Sequence, residues 1–412
     1  MSSTAGDTRT IELGEHDRSA PLRLSEPVLE TIESRINESA TRLGYEYTQD
    51  GRVRLSSSSY VGLVALPNGT QVRIRPKAAG GNSLRLLLYA HGATSKTIDA
   101  TVEALQGDVF LDAIGSLFVT RLQALLNHGL GKKYRTTEAR ESHLRGRLDL
   151  QRQLARGGVG DSEFAVEYET LTHDTVANQA VLYATHVVAR LVTDRSLQNA
   201  LRQREHQLRR DVTLRPVHGA ELEQIHLDRR HDHYEDILRL AKIIIQASFV
   251  DNLQGGTQET YGLLVNMNRV FESVVERAAT EGVTDAAWSV EAQSHITGLV
   301  TGGPPTVNMY PDFVIRDDDG QVRLVGDAKW KTGSPSQSDI YQMTSYQLVD
   351  DVPGLLLYPS QDGAMTTDYR VDDRLSLYLR ELPTAHDVTD SESLGDVLSS
   401  AVTAVVESLT IN

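Results

Sequence analysis

The stretch PDFVIRDDDGQVRLVGDAKWK, residues 311–331, combines two apolar, β-rich runs with charged residues at positions where a sheet core favours Val. The Asp-Gly pair at positions 319–320 predicts a two-residue hairpin turn, because both central residues of such a turn need positive φ angles. In that register Asp312 faces Asp327 across the hairpin. Side chains alternate along a strand, so Asp312, Asp327 and Lys329 point to one face. The stretch therefore predicts two carboxylates and one ammonium group in a single patch.

Facing acids of this kind need an explanation. Directly opposed side chains lie about 4.5–5.5 Å apart at Cβ, and like charges so placed destabilise a hairpin unless something lies between them. A divalent cation is the natural candidate, since Mg²⁺ prefers carboxylate oxygens and keeps water ligands. The alternative is a solvated strand, because Asp-x-Lys is a common tripeptide. The apolar approach VRLVGDAKW favours a strand end inside a sheet, although a longer turn would shift the register.

Two predicted helices flank the hairpin and add polar residues. The segment LLVNMNRVFESVVERAA lies in a helix predicted over about 262–280, and Glu272 sits at the edge of its apolar stripe. In DIYQMTSYQL, Gln342 and Tyr346 are four residues apart and share a helix face. Both side chains can reach phosphate oxygens. A solvated glutamate and a structural Gln–Tyr pair are the alternatives.

Composition restricts the chemistry. The chain has 412 residues, a net charge of −15 and no cysteine, which excludes disulfides, thiolate catalysis, Cys-ligated zinc and iron–sulfur clusters. Acidic residues are abundant and lysines are few, as in proteins adapted to high salt. Salt screens long-range attraction to phosphates, so the global charge says little about partners. Local arginine clusters matter more.

One such cluster lies in the arginine-rich segment 131–165. Arginine suits phosphate contacts, and solvated faces or salt bridges to the abundant acids are the alternative. The candidate DNA-contacting residues are Arg145, Arg147, Arg152 and Arg156.

Two absences in the sequence bear on partners. GLGKKY at 129–134 lacks the upstream glycine and the Ser or Thr of a phosphate-binding loop, so we expect no nucleotide site in this chain. No apolar run reaches the ~18–20 residues of a membrane span, and the N-terminus lacks a secretory signal pattern. We therefore expect a cytoplasmic protein that does not contact membranes.

The order of elements predicts several segments. An Asn-Gly hairpin at 68–69 marks a β-rich start, and periodic apolar patterns then predict long helices. We predict a flexible start (1–20), a β-rich and helical N-terminal region (21–160), a helical middle region (161–253), an α/β domain with a central sheet (254–385) and an acidic tail with a helical stretch (386–412).

Pro-Asp, Asp-x-Lys on the next strand, a preceding helix with Glu and a following Q-x-x-x-Y helix together resemble the PD-(D/E)xK nuclease superfamily. The order of YVGLVALPNGTQVRIRPK, LRGRLDL, LTHDTVANQAV, NMNRVFESVV, the hairpin, DIYQMTSY and LLLYP resembles the McrC family, the nuclease subunits of McrBC-type 5-methylcytosine restriction systems. The resemblance implies a C-terminal α/β PD-(D/E)xK restriction-endonuclease-like domain. It implies that a β-rich N-terminal region and a helical middle region precede this domain.

The resemblance also implies roles for individual residues. Asp312 and Asp327 would hold Mg²⁺, helped by the Ala328 carbonyl, and Glu272 would be an accessory metal ligand or a water-positioning acid. Lys329 would orient the attacking water, help to deprotonate it and stabilise charge on the phosphorane oxygens. Gln342 and Tyr346 would support the site or grip substrate phosphate. The implied reaction is metal-assisted hydrolysis of DNA phosphodiesters.

By the same resemblance, the motor is a separate McrB-like AAA+ ring that hydrolyses GTP or ATP, and the N-terminal part engages it. The chain is then an endonuclease subunit that acts when docked on this ring. Two alternatives stay open at this point. One is a stand-alone RecB-like repair nuclease, which the Gln342–Tyr346 spacing also fits but the lack of cluster cysteines disfavours. The other is a catalytically silent regulator of an AAA+ motor, which the intact Asp312, Asp327 and Lys329 set disfavours.

Overall fold

The structure is a computed structural model that describes residues 9–38, 40–76, 83–93, 110–155, 162–227, 231–250, 260–283, 288–295, 299–300, 303, 308–361, 363, 365–384 and 394–410. The chain divides into two compact units. One combines residues 1–114 with 247–412, and the other comprises residues 115–246. Among the described helices, none combines the length and the apolar character needed to cross a bilayer.

The first part of the chain contains β1 (Thr10–Gly14), α1 (Glu26–Thr31) with a π-helical continuation (Ile32–Ile36), β2 (Leu43–Tyr47), β3 (Val53–Ser57), β4 (Tyr60–Ala65), β5 (Gln71–Arg75) and α2 (Ser83–Ala90). The middle contains α3 (Phe110–His128), β6 (Lys133–Glu141), β7 (Arg147–Leu148), α4 (Leu150–Leu154), β8 (Phe164–Thr172), α5 (Val176–Leu191), α6 (Arg195–Leu208), α7 (Gly219–Glu223), a 3₁₀ turn (Asp232–Tyr234) and α8 (Glu235–Ala247). The last part contains β9 (Ser248–Val250), β10 (Tyr261–Asn266), α9 (Met267–Gly282), β11 (Trp288–Ala292), β12 (Phe313–Asp317), β13 (Val322–Ala328), α10 (Gln337–Asp350), β14 (Gly354–Pro359), β15 (Thr367–Val371), β16 (Leu375–Leu382) and α11 (Leu394–Thr410).

A five-stranded sheet in the order β1-β5-β4-β10-β9 joins strands from distant parts of the chain. The predicted hairpin is present as β4 and β5, with Gly69 in the left-handed region at φ 80°. Residues 1–20 were predicted to be flexible, but β1 pairs in parallel with β5 and Ser19 N–H donates to Leu55 O at 2.8 Å. That part of the prediction is wrong from residue 10 onward, because the polar start of the chain completes a sheet edge.

The helix predicted from about residue 262 begins instead at Met267. Residues 261–266 form β10, which pairs antiparallel with β4 through its whole length. The side chain of Asn266 accepts hydrogen bonds from the N–H groups of Asn268 and Arg269 and so caps α9. Gly62 in β4 has φ 143°, and a Cβ there would overlap Leu263 O of the partner strand. The close approach of these two strands therefore depends on a glycine.

This pairing also explains why the compact units differ from the predicted domains. The boundary at 253/254 separates β4 from its partner β10, and the boundary at 160/161 separates β6 from β8, which pair antiparallel along nine residues. The middle region therefore contains strands as well as the predicted helices. The linker-like segment 254–258 lies outside the described residues.

The predicted central sheet has six strands in the order β11-β12-β13-β14-β16-β15. Strand β14 is buried along its whole length, between the parallel strands β13 and β16. Helix α10 contributes Met343 and Tyr346 to a core with Val325 of β13 and Leu356 of β14. The predicted helical stretch of the tail is present as α11, where Thr403 Oγ1 donates to Gly282 O of α9 at 2.7 Å.

The turn between β12 and β13 differs from the predicted two-residue turn. Asp317 N–H donates to Gln321 O, Gly320 N–H donates to Asp317 O, and Gly320 has φ 76°. The loop therefore comprises residues 318–320, with its only positive φ at the glycine.

A bulge in the pairing of β12 with β13 compensates for the extra loop residue. The register shifts between Ile315 and Arg316, and beyond that point Phe313 pairs with Gly326 as predicted. The two aspartates of the sequence prediction therefore face each other, although a bulge rather than a tight turn sets their register.

Candidate active site

The two aspartates lie where β12 and β13 meet at the edge of the core. Asp312 immediately precedes β12, and Asp327 is next to the last residue of β13. Ala328 N–H donates to Asp312 Oδ2 at 2.7 Å, which fixes this carboxylate against the neighbouring strand. Asp327 is 3% exposed, so its carboxylate has lost nearly all contact with bulk water. The register thus creates a pair of like charges, in which Asp327 is buried and Asp312 is half-buried.

Lys329 lies two residues beyond Asp327 on the same face of the strand. Its N–H donates to Leu357 O at 2.8 Å, so the backbone remains paired with β14 past the end of β13. Its ammonium forms an ion pair with Asp327 and donates to Gln342 Oε1 at 2.9 Å. The lysine is therefore held from two sides, by the acid pair and by helix α10.

Gln342 and Tyr346 continue this chain of hydrogen bonds. Gln342 Nε2 donates to Tyr346 OH at 2.6 Å, and Tyr346 OH donates to Tyr310 O at 3.2 Å. The helix that carries them starts with a capping box of Ser336 and Asp339. The two side chains, four residues apart, thus connect Lys329 to the segment that leads into Asp312.

Electrostatics at the site follow from burial and mutual repulsion. Burial, followed by the charge of Asp312, raises the pKa of Asp327 from 3.8 to about 7. Burial also raises the pKa of Asp312, partly offset by the Ala328 N–H. Burial acts to lower the pKa of Lys329, but Asp327 outweighs it and the pKa is raised. The site carries more negative charge than its lysine neutralises.

Glu272 approaches the pair from helix α9. Burial, and then the charge of Asp327, raises the pKa of its carboxyl group. A cleft of about 360 Å³ opens beside the site, and its lining residues are Arg269, Glu272, Ser273, Glu276, Gln293 and Asp312. The four predicted catalytic residues and both predicted supporting residues are thus brought together by the fold.

The donor set suits a hard divalent cation. Asp312 and Asp327 offer adjacent carboxylate oxygens with uncompensated charge, and Mg²⁺ is commonly held by one or two carboxylates with water completing its coordination. Across the described ranges, no three His, Asp or Glu side chains converge as a ligand set. Glu272 lines the cleft together with Asp312, and its role as an accessory metal ligand or a water-positioning acid stays a prediction.

The predicted DNA-contacting arginines lie in the other compact unit. The Arg145 guanidinium stacks 4.2 Å from the Tyr168 ring centre, and Arg152 forms an ion pair with Glu138 at 2.8 Å. Arg147 is exposed on β7, and Arg156 lies outside the described residues. A role of these four residues in DNA binding stays a prediction.

Four residues that line the cleft were not among the predicted site residues: Arg269, Ser273, Glu276 and Gln293. Arg269 lies one helical turn before Glu272, and the i, i+3 spacing could have revealed it. Gln293 had no such signal: it adopts a left-handed φ of 48°, and its N–H donates to Asp312 O at 2.8 Å. Backbone strain of this kind is often found at functional sites.

Known proteins resemble the chain over most of its length. The family model of the McrBC 5-methylcytosine restriction system component matches residues 55–359. The chain is 21% identical over 319 residues to the type IV methyl-directed restriction enzyme EcoKMcrBC of Escherichia coli (strain K12), covering 71% of this chain and 88% of that protein.

Solved structures extend the comparison to the fold. A chain in the refined half-complex of the tetradecameric assembly of Thermococcus gammatolerans McrB AAA+ hexamers with bound McrC matches with a TM-score of 0.63 at 17% identity, covering 96% of this chain and 100% of that one. At this identity the likeness shows a common fold. Because the family model spans most of the sequence and includes both the hairpin and helix α10, the chain belongs to the family of McrBC 5-methylcytosine restriction system components.

Proposed function

We propose that this chain is the Mg²⁺-dependent DNA endonuclease subunit of a modification-dependent restriction system. The observation that carries the proposal is the pair of half-buried Asp312 and buried Asp327 with Lys329 ion-paired beside it, in a chain of the McrBC family. A cation bound to the two aspartates would supply Lewis-acid activation of the scissile phosphate and of water.

The residues around the pair have separate roles in the proposed reaction. Lys329 stays protonated beside Asp327, so its ammonium donates hydrogen bonds to the attacking water and to charge that develops on the phosphorane oxygens. Glu272 faces the cleft with a raised pKa, which suits it to receive the proton of that water. Gln342 and Tyr346 hold the lysine in place through their hydrogen bonds.

Arg269 supplies a contact for the substrate at the mouth of this cleft. It is exposed on the first turn of α9 and lines the cleft together with three carboxylates. In an otherwise acidic cleft, a guanidinium offers a bidentate contact to a DNA phosphate next to the one that is cut.

The partner we propose is a hexameric AAA+ NTPase that resembles McrB. The chain has the fold of a chain from an assembly of McrB AAA+ hexamers with bound McrC, over 96% of its length. We expect cleavage to be weak without the partner and to depend on nucleotide hydrolysis by it. A silent regulator would keep partner binding without needing the buried acid pair, which costs folding free energy.

Co-purification with an McrB-like AAA+ NTPase, followed by cleavage of methylated and unmethylated DNA, tests the proposal. We expect cleavage that requires Mg²⁺ and the partner, and that disappears in Lys329→Ala and Asp327→Ala while partner binding persists. Arg323→Ala is the matched control, because Arg323 lies on the same strand in an exposed ion pair with Asp317. Wild-type cleavage by both site variants would refute the proposal that this chain is the nuclease. The alternative, a catalytically silent regulator of the AAA+ motor, would then be favoured.

A further inference from the structure

A buried carboxylate from the start of the chain contacts the strand end that carries the site. Trp330 Nε1 donates to Glu15 Oε1 at 3.0 Å and to Oε2 at 3.2 Å, across 315 positions of sequence. Glu15 is 5% exposed and Trp330 is 2% exposed. Trp330 directly follows Lys329, so this hydrogen bond fixes the residue next to the lysine of the site.

The same indole also reaches helix α9. The rings of Trp330 and Phe271 pack with their centres 5.5 Å apart at an angle of 52°. Phe271 is fully buried and directly precedes Glu272. Trp330 is therefore itself the neighbour of one site residue, Lys329 on the strand, and contacts the neighbour of another, Glu272 on the helix.

Glu15 itself is anchored to the N-terminal sheet. Its N–H donates to Arg75 O at 3.1 Å, which extends the pairing of β1 with β5 by one residue. Ser57 Oγ donates to Gly14 O at 2.6 Å and holds the adjacent peptide. The carboxylate thus projects from a fixed backbone rather than from a loose end.

Packing alone does not account for a glutamate here. Burying a carboxylate costs free energy that burying an apolar residue of similar size would not, and hydrogen bonds to the carboxylate offset part of this cost. What a directional acceptor adds is a defined orientation of the indole plane, since an apolar contact has no preferred direction. The structure therefore suggests a role in alignment.

We propose that Glu15 is a positioning residue for the active site. By fixing the indole of Trp330, it sets the strand end at Lys329 and, through Phe271, the position of α9 at Glu272. The proposal rests on the proposed nuclease function for its kinetic readout, and it has a structural readout that does not depend on that function. The N-terminal strand segment is then a part of the catalytic apparatus, although it touches no substrate.

The test compares Glu15→Ala, Glu15→Gln and Trp330→Phe in the complex with the AAA+ partner. We expect Glu15→Ala to lower kcat for DNA cleavage about 10–100-fold, with KM for DNA and partner binding unchanged, because displacement of reacting groups affects the chemical step. Glu15→Gln keeps an acceptor for the indole N–H and should stay within about threefold of wild type. Trp330→Phe keeps most of the ring but loses the donor, so it should resemble Glu15→Ala.

Glu12→Ala is the matched control, since Glu12 lies on the same strand in partly exposed ion pairs with Arg73 and Arg75. A wild-type kcat for Glu15→Ala, or a loss of kcat that follows the loss of folded protein in all variants, would overturn the proposal. Amide hydrogen exchange separates this outcome from failure of the nuclease itself. Even if wild type cuts no DNA, Glu15→Ala should speed amide exchange in the peptides around Lys329 and Phe271. Exchange in β15 should stay unchanged and serves as the internal control. Unchanged exchange around both Lys329 and Phe271 would overturn the proposal.

Discussion

Neutralising Asp327 should stabilise the metal-free protein at alkaline pH. The pKa of this carboxyl is raised from 3.8 to about 7, so the folded protein holds a proton over a pH range in which the unfolded chain has released it. The free energy of unfolding therefore falls as pH rises from about 4 to about 7. Asp327→Asn removes this proton linkage while it keeps the size of the side chain. The variant should thus gain stability relative to wild type as pH rises.

The magnitude follows from the width of that pH range. Each pH unit in which the folded state holds one extra proton changes the free energy of unfolding by about 1.4 kcal/mol. Between pH 4.5 and pH 8 the stability difference between variant and wild type should therefore shift by about 3 kcal/mol in favour of the variant. Titrating groups distant from Asp327 cancel in this comparison, whereas Asp312 and Glu272 titrate together with Asp327, so the shift belongs to this group of acids.

Urea unfolding in EDTA, followed by tryptophan emission at several pH values, measures the effect. The chain has two tryptophans, Trp288 and Trp330, and both belong to the unit that carries the site. Asp317→Asn is the control, because hydrogen bonds from Gln321 N–H and Arg323 outweigh burial and lower the pKa of Asp317 below its ordinary value of 3.8. Its proton linkage therefore lies below about pH 4, and the stability difference between this variant and wild type should stay constant between pH 4.5 and 8. A stability difference for Asp327→Asn that stays constant between pH 4.5 and 8 would refute the reasoning.

Three further changes probe the site and its packing. Gln342→Ala frees Lys329 from its hydrogen bond and should lower the cleavage rate about tenfold in the partner complex; a wild-type rate in a quenched-flow assay would contradict this role. Arg269→Ala should weaken binding of duplex DNA and reduce the slope of log affinity against log salt by about one, measured by fluorescence anisotropy, and an unchanged slope would exclude a phosphate contact. Gly326→Ala places a Cβ against the Phe313 ring and should lower the free energy of unfolding by about 1–3 kcal/mol, whereas Gly219→Ala, with open space around it, should leave it nearly unchanged in the same urea titration.

The site was predictable because its residues lie in local patterns. Alternation along two strands and the i, i+4 spacing of Gln342 and Tyr346 fix faces without knowledge of the rest of the fold. The turn was not predictable in detail, since Asp319-Gly320 fits both a two-residue turn and the observed loop with Gly320 alone at positive φ. The register survived because the bulge compensates the longer loop.

Non-local pairing was what the sequence could not indicate. YGLLVN at 261–266 has an apolar pattern that suits either a helix or a buried strand, and only its pairing with β4 decides between them. Glu15 gave no signal either, because its partner Trp330 lies 315 positions away and neither residue stands out in its own segment. Non-local contacts also explain why the boundaries of the two compact units differ from the predicted domain boundaries.

The mixed origin of the five-stranded sheet has a consequence for synthesis of the protein. Strands β1, β4 and β5 leave the ribosome early, but β10, which covers the other edge of β4, follows about two hundred residues later. Until then β4 presents an unpaired apolar edge, the type of surface that recruits chaperones or aggregates. A fragment that starts at residue 254 would lack β4 altogether, so isolating the catalytic region requires retaining the strands of the amino-terminal half.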